Sequence, residues 1–122
     1  TVQACALDWT KYERDIAASQ CSFPDTCDTL LGTDILFAPE LVDPLLQTAS
    51  FLAHHPATVW YLCVQIRCPT SHERFLNRAP DFGFRVDDIT NGVADWGKAL
   101  ECFLYRITYG GSPSVEALKD TK

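Results

Sequence analysis

The chain has no apolar run approaching the roughly 20 residues that a helix needs to cross a bilayer, so no helical membrane span is expected. It has no cluster of Lys and Arg. Ten basic residues stand against sixteen acidic ones, a net charge of −6. A nucleic-acid backbone would repel that balance, so nucleic acid is not expected as the main partner. The start, Thr1-Val2-Gln3-Ala4-Cys5, has neither a methionine nor a basic-then-apolar signal pattern and reads as the interior of a longer chain. No pair of cysteines has the Cys-x-x-Cys spacing of common zinc or redox sites, and the glycines at 32, 83, 92, 97, 110 and 111 form no Gly-x-Gly motif. No Ser or Cys sits on a glycine-flanked elbow, which weakens a cofactor-free hydrolase using Asp34 or Glu40 with a histidine.

What is present is ordinary for a globular domain. Of the 122 residues, 47% are hydrophobic and 21% charged, which argues against disorder and suits one domain or a piece of one. Six cysteines in a chain this short raise the possibility of a disulfide framework. Cys5, Cys63 and Cys102, however, fall inside apolar runs, where a thiol behaves as a small hydrophobe. Reduced thiols and a cytoplasmic or nuclear compartment are therefore expected, with cytoplasm preferred. Cys21 and Cys27 with His54 or His55 lack the usual zinc spacing, and no metal is expected. His54, His55 and His72 fall at helix ends or first turns and read as solvated.

Periodicity divides the chain into alternating elements. Residues 2–9 (VQACALDW) read as a strand, and Thr10-Lys11-Tyr12-Glu13 as a capping box opening a helix to about Ser19. Residues 29–37 (TLLGTDILF) are apolar on both faces almost to their end, as in a central parallel strand. Leu41, Leu45, Leu46, Ala49, Leu52 and Ala53 recur at helical spacing, with Pro44 in the first turn. Residues 58–66 (TVWYLCVQI) form the clearest strand. Thr70-Ser71-His72-Glu73 reads as a second capping box, leading a helix that buries Phe75, Leu76 and Ala79 and stops at Pro80. Residues 84–89 and 101–109 alternate as two further strands, predicted to pair antiparallel, and the tail from 110 is polar. The predicted architecture is α/β: a mostly parallel, partial Rossmann-like sheet with a C-terminal antiparallel pair.

Three segments resemble one family. Leu7-Asp8-Trp9 is similar to the end of the third strand in the family-16 S-adenosylmethionine-dependent protein methyltransferases. Thr33-Asp34-Ile35-Leu36-Phe37-Ala38-Pro39-Glu40 resembles their Asp-x-x-Tyr/Phe motif and the helix start after it. Ile66-Arg67-Cys68-Pro69 is similar to a strand end that these enzymes close with Arg-Asn-Pro. The likeness spans about residues 1–109, with 110–122 outside it, and is nearest to the elongation factor 2 lysine methyltransferase branch. It implies the C-terminal part of a seven-stranded methyltransferase fold, of sheet order 3-2-1-4-5-7-6 with strands 1 and 2 missing. It implies S-adenosyl-L-methionine as cofactor, and as substrate a lysine of a protein partner such as a translation elongation factor.

On this likeness Asp34 accepts an N–H from the substrate amine and Phe37 walls the lysine channel. Asp8 and Trp9 hold the adenine by hydrogen bond and ring packing, and the backbone of Thr33 passes near the cofactor. The residues themselves leave a plainer account open, in which Asp34 caps the following helix, and Phe37 and Trp9 are core. Arg67 reads either as a partner for a carboxylate at the sheet's end or as a solvated cation. A non-catalytic relative serving as a protein-interaction module is the alternative function. Because the Gly-rich loop is missing, the 122 residues alone are expected to give no heat of binding with S-adenosylmethionine in calorimetric titration. A micromolar affinity would contradict that expectation.

Overall fold

A computed structural model of the chain describes residues 7–11, 27–53, 55–90 and 102–110. The described residues form an α/β unit with one four-stranded sheet and two helices. The strands are β1 (Thr29–Thr33), β2 (Val59–Gln65), β3 (Phe84–Asp88) and β4 (Cys102–Tyr109); the helices are α1 (Val42–Leu52) and α2 (Pro69–Arg78). Single 3-10 turns occupy Trp9–Lys11, Pro39–Leu41 and Ala79–Phe82. Most of residues 2–9, the helix expected after Thr10, Cys21, His54, the Asn91-Gly92 turn and the polar tail lie outside the described residues.

The sheet order is β1-β2-β4-β3. β1 and β2 run parallel from Thr29↔Val59 to Thr33↔Cys63. β4 is antiparallel to β2 over seven pairs, Val59↔Thr108 to Gln65↔Cys102, and antiparallel to β3 from Phe84↔Tyr109 to Asp88↔Tyr105. The last two strands therefore pair as expected, but the sheet is mixed rather than mostly parallel. β4 enters between β2 and β3, and so two antiparallel ladders stand where a parallel β2–β3 contact would have been.

Register decides the core. Leu62 of β2 lies opposite Gly32 and Tyr105, and Trp60 opposite Leu30 and Ile107, so these residues share one face of the pleat. α1 and α2 close that face with Val42, Leu45, Leu46, Ala49 and Phe75, all buried. Trp60 anchors the layer, with edge-on contacts to Phe75 (5.8 Å between centroids) and Phe84 (5.6 Å), a favoured aromatic geometry. Asp43 of α1 takes Arg74 Nη2 at 2.7 Å and Arg78 Nε at 3.0 Å, tying the helices together at their rim.

Four local expectations are corrected. β1 stops at Thr33 instead of running to Phe37, because Asp34 turns into the left-handed region (φ 59°). β1 is also an edge strand among the described residues, and Leu31, on the face away from the helices, is 75% exposed. The second capping box does not form: α2 begins two residues earlier, at Pro69, with Cys68 rather than Thr70 as N-cap. Pro at the first helical position, where its missing N–H costs nothing, outcompetes Thr70 for the start. Leu76 points out to solvent at 37% exposure. The end of α2 is as expected: the helix stops at Arg78 with Ala79 as C-cap, just before Pro80, and a 3-10 turn follows over Ala79–Phe82.

His72, expected to be solvated, is half-buried under α2. Its Nε2 lies 2.7 Å from the Tyr105 hydroxyl, and its ring packs on Phe103 (5.4 Å) and Tyr105 (5.8 Å). Burial, partly opposed by Asp88, holds the His72 pKa below its ordinary value, and burial with Asp88 pushes Tyr105 up to about 12. A depressed histidine pKa means that the unfolded chain binds the proton more readily. The contribution is thus fully present above the unfolded value of about 6.5 and lost as pH falls through the folded one. Urea midpoints are expected to fall from pH 7.5 to pH 5 more steeply for the wild type than for His72→Phe. Equal slopes would show that His72 does not couple to folding.

Candidate functional site

The carboxyl ends of β1 and β2 bring together the two chain segments that carry Asp34 and Arg67. Asp34 follows β1 directly, and its N–H donates to the Cys63 carbonyl at 3.0 Å, continuing the β1–β2 ladder by one bond. Its φ of 59° is unusual for a residue with a Cβ; Asp is among the few that tolerate it. The chain then leaves the sheet plane, and the Asp34 carboxylate turns toward the end of β2. There Arg67 meets it edge to edge, Nε to Oδ1 at 3.1 Å and Nη2 to Oδ2 at 3.0 Å.

This two-pronged pair lies at the surface, with side-chain exposures of 62% for Arg67 and 42% for Asp34. An ion pair so exposed contributes only about 0–1 kcal/mol, so a cationic ligand competes with the guanidinium at little cost. The plainer account of Asp34 and Phe37 fails on geometry. The 3-10 turn Pro39–Leu41 has Ala38 as N-cap, and α1 has Leu41; neither makes a side-chain capping bond. Phe37 is 56% exposed and so is not core. Thr33 ends β1 with its side chain exposed. Asp28 O and Asp34 N bond toward β2, so the backbone groups of the intervening odd-numbered residues, Thr33 included, face the sheet's free edge.

Asp8 and Trp9, expected on the adenine side, lie in and beside a tight turn. The Asp8 carboxylate accepts from Thr10 N–H (2.9 Å) and from the Thr10 hydroxyl (2.7 Å), closing the turn Trp9–Lys11. The capping residue of this turn is therefore Asp8 and not Thr10. Trp9 is half-buried and its ring lies 6.5 Å from that of Phe37, tilted by 43°. Two rings bracketing a flat ligand stand about 7 Å apart and parallel, twice a contact distance of about 3.5 Å. Trp9 and Phe37 touch each other instead.

Beside them, β1 and α1 line a half-open pocket of about 200 Å³, with Leu30, Gly32, Ile35, Leu45, Ala49, Trp60 and Trp9 in its walls. Small-molecule sites are usually about 300–1,000 Å³ and carry several polar groups. This one has few: the Thr48 hydroxyl, which lies 2.9 Å from the Pro44 carbonyl and 3.2 Å from the Trp9 carbonyl, and the indole N–H of Trp60 beside Gly32. The described residues do not by themselves supply a site for S-adenosylmethionine: the pocket is small and mostly apolar, and Asp8 accepts from Thr10 within its own turn. Among the described residues no group of His, Cys, Asp and Glu could hold a metal ion, and no helix is long and apolar enough to cross a membrane.

No family model and no curated protein matches the chain. The geometry at the end of β1 therefore stands on its own. Sequence reading found Asp34, Phe37 and Arg67 but did not join the first and last, which are 33 residues apart; only the parallel β1–β2 register does so. It missed the His72–Tyr105 pair, for which the alternation of β4 gave a signal on Tyr105 and nothing marked His72.

Asp34→Gly and Asp34→Ala both remove the carboxylate, so their difference isolates the left-handed backbone. The glycine variant is expected to be more stable than the alanine variant by about 1 kcal/mol in urea unfolding. Asp34→Asn, which tolerates the same backbone, is expected to lie within about 1 kcal/mol of wild type, the worth of an exposed ion pair. An alanine variant as stable as glycine would refute the strained turn.

Proposed function

We propose that the chain is the acceptor-side, C-terminal part of an S-adenosylmethionine-dependent protein-lysine N-methyltransferase, cytoplasmic and acting on a protein such as a translation elongation factor. The observation that carries this reading is the strand arrangement. The order β1-β2-β4-β3, with an antiparallel β4 inserted between two strands of common direction, agrees with 4-5-7-6, the last four strands of the seven-stranded order. Asp34 stands at the carboxyl end of the first of these, where open α/β sheets place their ligands.

Methyl transfer to lysine requires an unprotonated amine, held in line with the donor methyl and shielded from water. Asp34 would accept an N–H from that amine once Arg67 yields its place, fixing the direction of the nitrogen lone pair. Phe37, exposed beside it, would line the approach with a ring face suited to the cationic product. The residues that would grip the cofactor are not supplied by the described part of the chain. One observation favours a second reading, the non-catalytic interaction module: the Asp34 carboxylate is fully engaged by Arg67, and the Trp9 and Phe37 rings close on each other.

The discriminating measurement is made on the full protein that contains these residues. Asp34→Ala is expected to lower lysine methylation by about 100-fold or more while leaving cofactor affinity unchanged by titration. Full activity in that variant would remove Asp34 from the reaction. A full-length protein that binds no S-adenosylmethionine would decide for the interaction module.

A further inference from the structure

We propose that Cys68 is a redox-modification site, its sulfur presented to solvent at the mouth of α2 and open to attack on hydroperoxides. Two independent features of the first turn of α2 support this. Cys68 is the N-cap of a ten-residue helix, with extended backbone (φ −132°, ψ 99°), and is only partly buried. In that position a side chain faces the N–H groups of the first turn, the positive end of the helix. Second, Ser71 on the same turn is fully buried, and its hydroxyl has no hydrogen-bond partner. An orphaned buried hydroxyl is unfavourable unless something completes it.

The neutral thiol makes no capping bond. Ionisation changes this, because a thiolate is a far stronger acceptor. The Ser71 hydroxyl, the Ser71 N–H and the Thr70 N–H then all have a charge to address. They hold the Cys68 pKa below its ordinary value, with the Ser71 hydroxyl the largest contributor, against slight desolvation and the opposing charge of Glu40. Burial has the reverse effect on two other described thiols: it raises Cys27, which donates to the Leu52 carbonyl, and Cys63. Thiolates at helix N-termini are the reactive ones, and buried apolar thiols are inert. In the reaction, the Cys68 sulfur attacks the terminal oxygen of a hydroperoxide. An S–O bond forms and the O–O bond breaks. The sulfur is oxidised to a sulfenic acid, whose oxygen keeps its hydrogen, and the peroxide is reduced to an alkoxide that takes a proton from water. The inference does not depend on methyltransferase activity.

The test is competitive labelling of the 122-residue chain with limiting iodoacetamide at pH 7, mapped by peptide mass spectrometry. Cys68 is expected to alkylate roughly ten-fold faster than Cys27 and Cys63, and the preference should vanish in urea. Hydrogen peroxide followed by dimedone should place the adduct on Cys68 and fail to do so in Cys68→Ser. Ser71→Ala removes a buried unpaired hydroxyl, so its fold should hold; Cys68 should then slow, and Ser71→Thr should recover the rate. A Cys68 no faster than Cys27 and Cys63 in the folded protein, or a rate indifferent to Ser71→Ala, would overturn the proposal.

Discussion

The return of β4 between β2 and β3 is the constraint on which the rest of the structure depends. Its seven-pair ladder with β2 is the longest in the sheet, and it brings Tyr105 and Ile107 onto the same face as Leu62 and Trp60. Without β4, β3 would have no neighbour and Trp60 would lose part of the floor it stands on. The helices follow from this. α1 and α2 must cover one continuous apolar face, and Phe75 meets Trp60 edge-on because that face is already assembled. The His72–Tyr105 contact has the same cause: it joins α2 to the strand that completes the sheet.

At the other side of the sheet, among the described residues, β1 is held by β2 alone. Its end is where the geometry becomes unusual: a left-handed Asp34 extends the ladder by one bond and then turns its carboxylate out to Arg67. Strain at a strand end that also positions a charged group is common where proteins bind ligands. The described residues of the same locale form no cradle for a large cofactor, since Trp9 and Phe37 are in contact and the neighbouring pocket is small and mostly apolar.

Much of the fold was legible in the sequence because its signals are local. The β-branched and aromatic density of 58–66 marked β2, the clean alternation of 101–109 marked β4, and the helical spacing from Leu41 to Ala53 marked α1, each within a residue or two of the observed bounds. The failures share a cause. Thr70-Ser71-His72-Glu73 has the letters of a capping box, but Pro69 set the helix start. Leu76 has an apolar side chain on a helix whose buried face is narrower than its composition suggests. Residues 29–37 are apolar throughout, yet a single left-handed residue ended the strand at Thr33.

By itself, the sequence determined the α/β class, the alternation of strands and helices, and the chemistry available at the end of β1. These depend on residue type and on spacings shorter than a helix turn or a strand. Strand order does not follow from periodicity; it depends on which strands meet across the sheet. Tertiary structure alone decided that Arg67 reaches Asp34, that Tyr105 rather than solvent receives His72, and that the Ser71 hydroxyl is buried unpaired in the first turn of α2. The first two contacts join groups 33 residues apart, and the third depends on which faces α2 buries. Packing chooses those neighbours, and no local pattern encodes them.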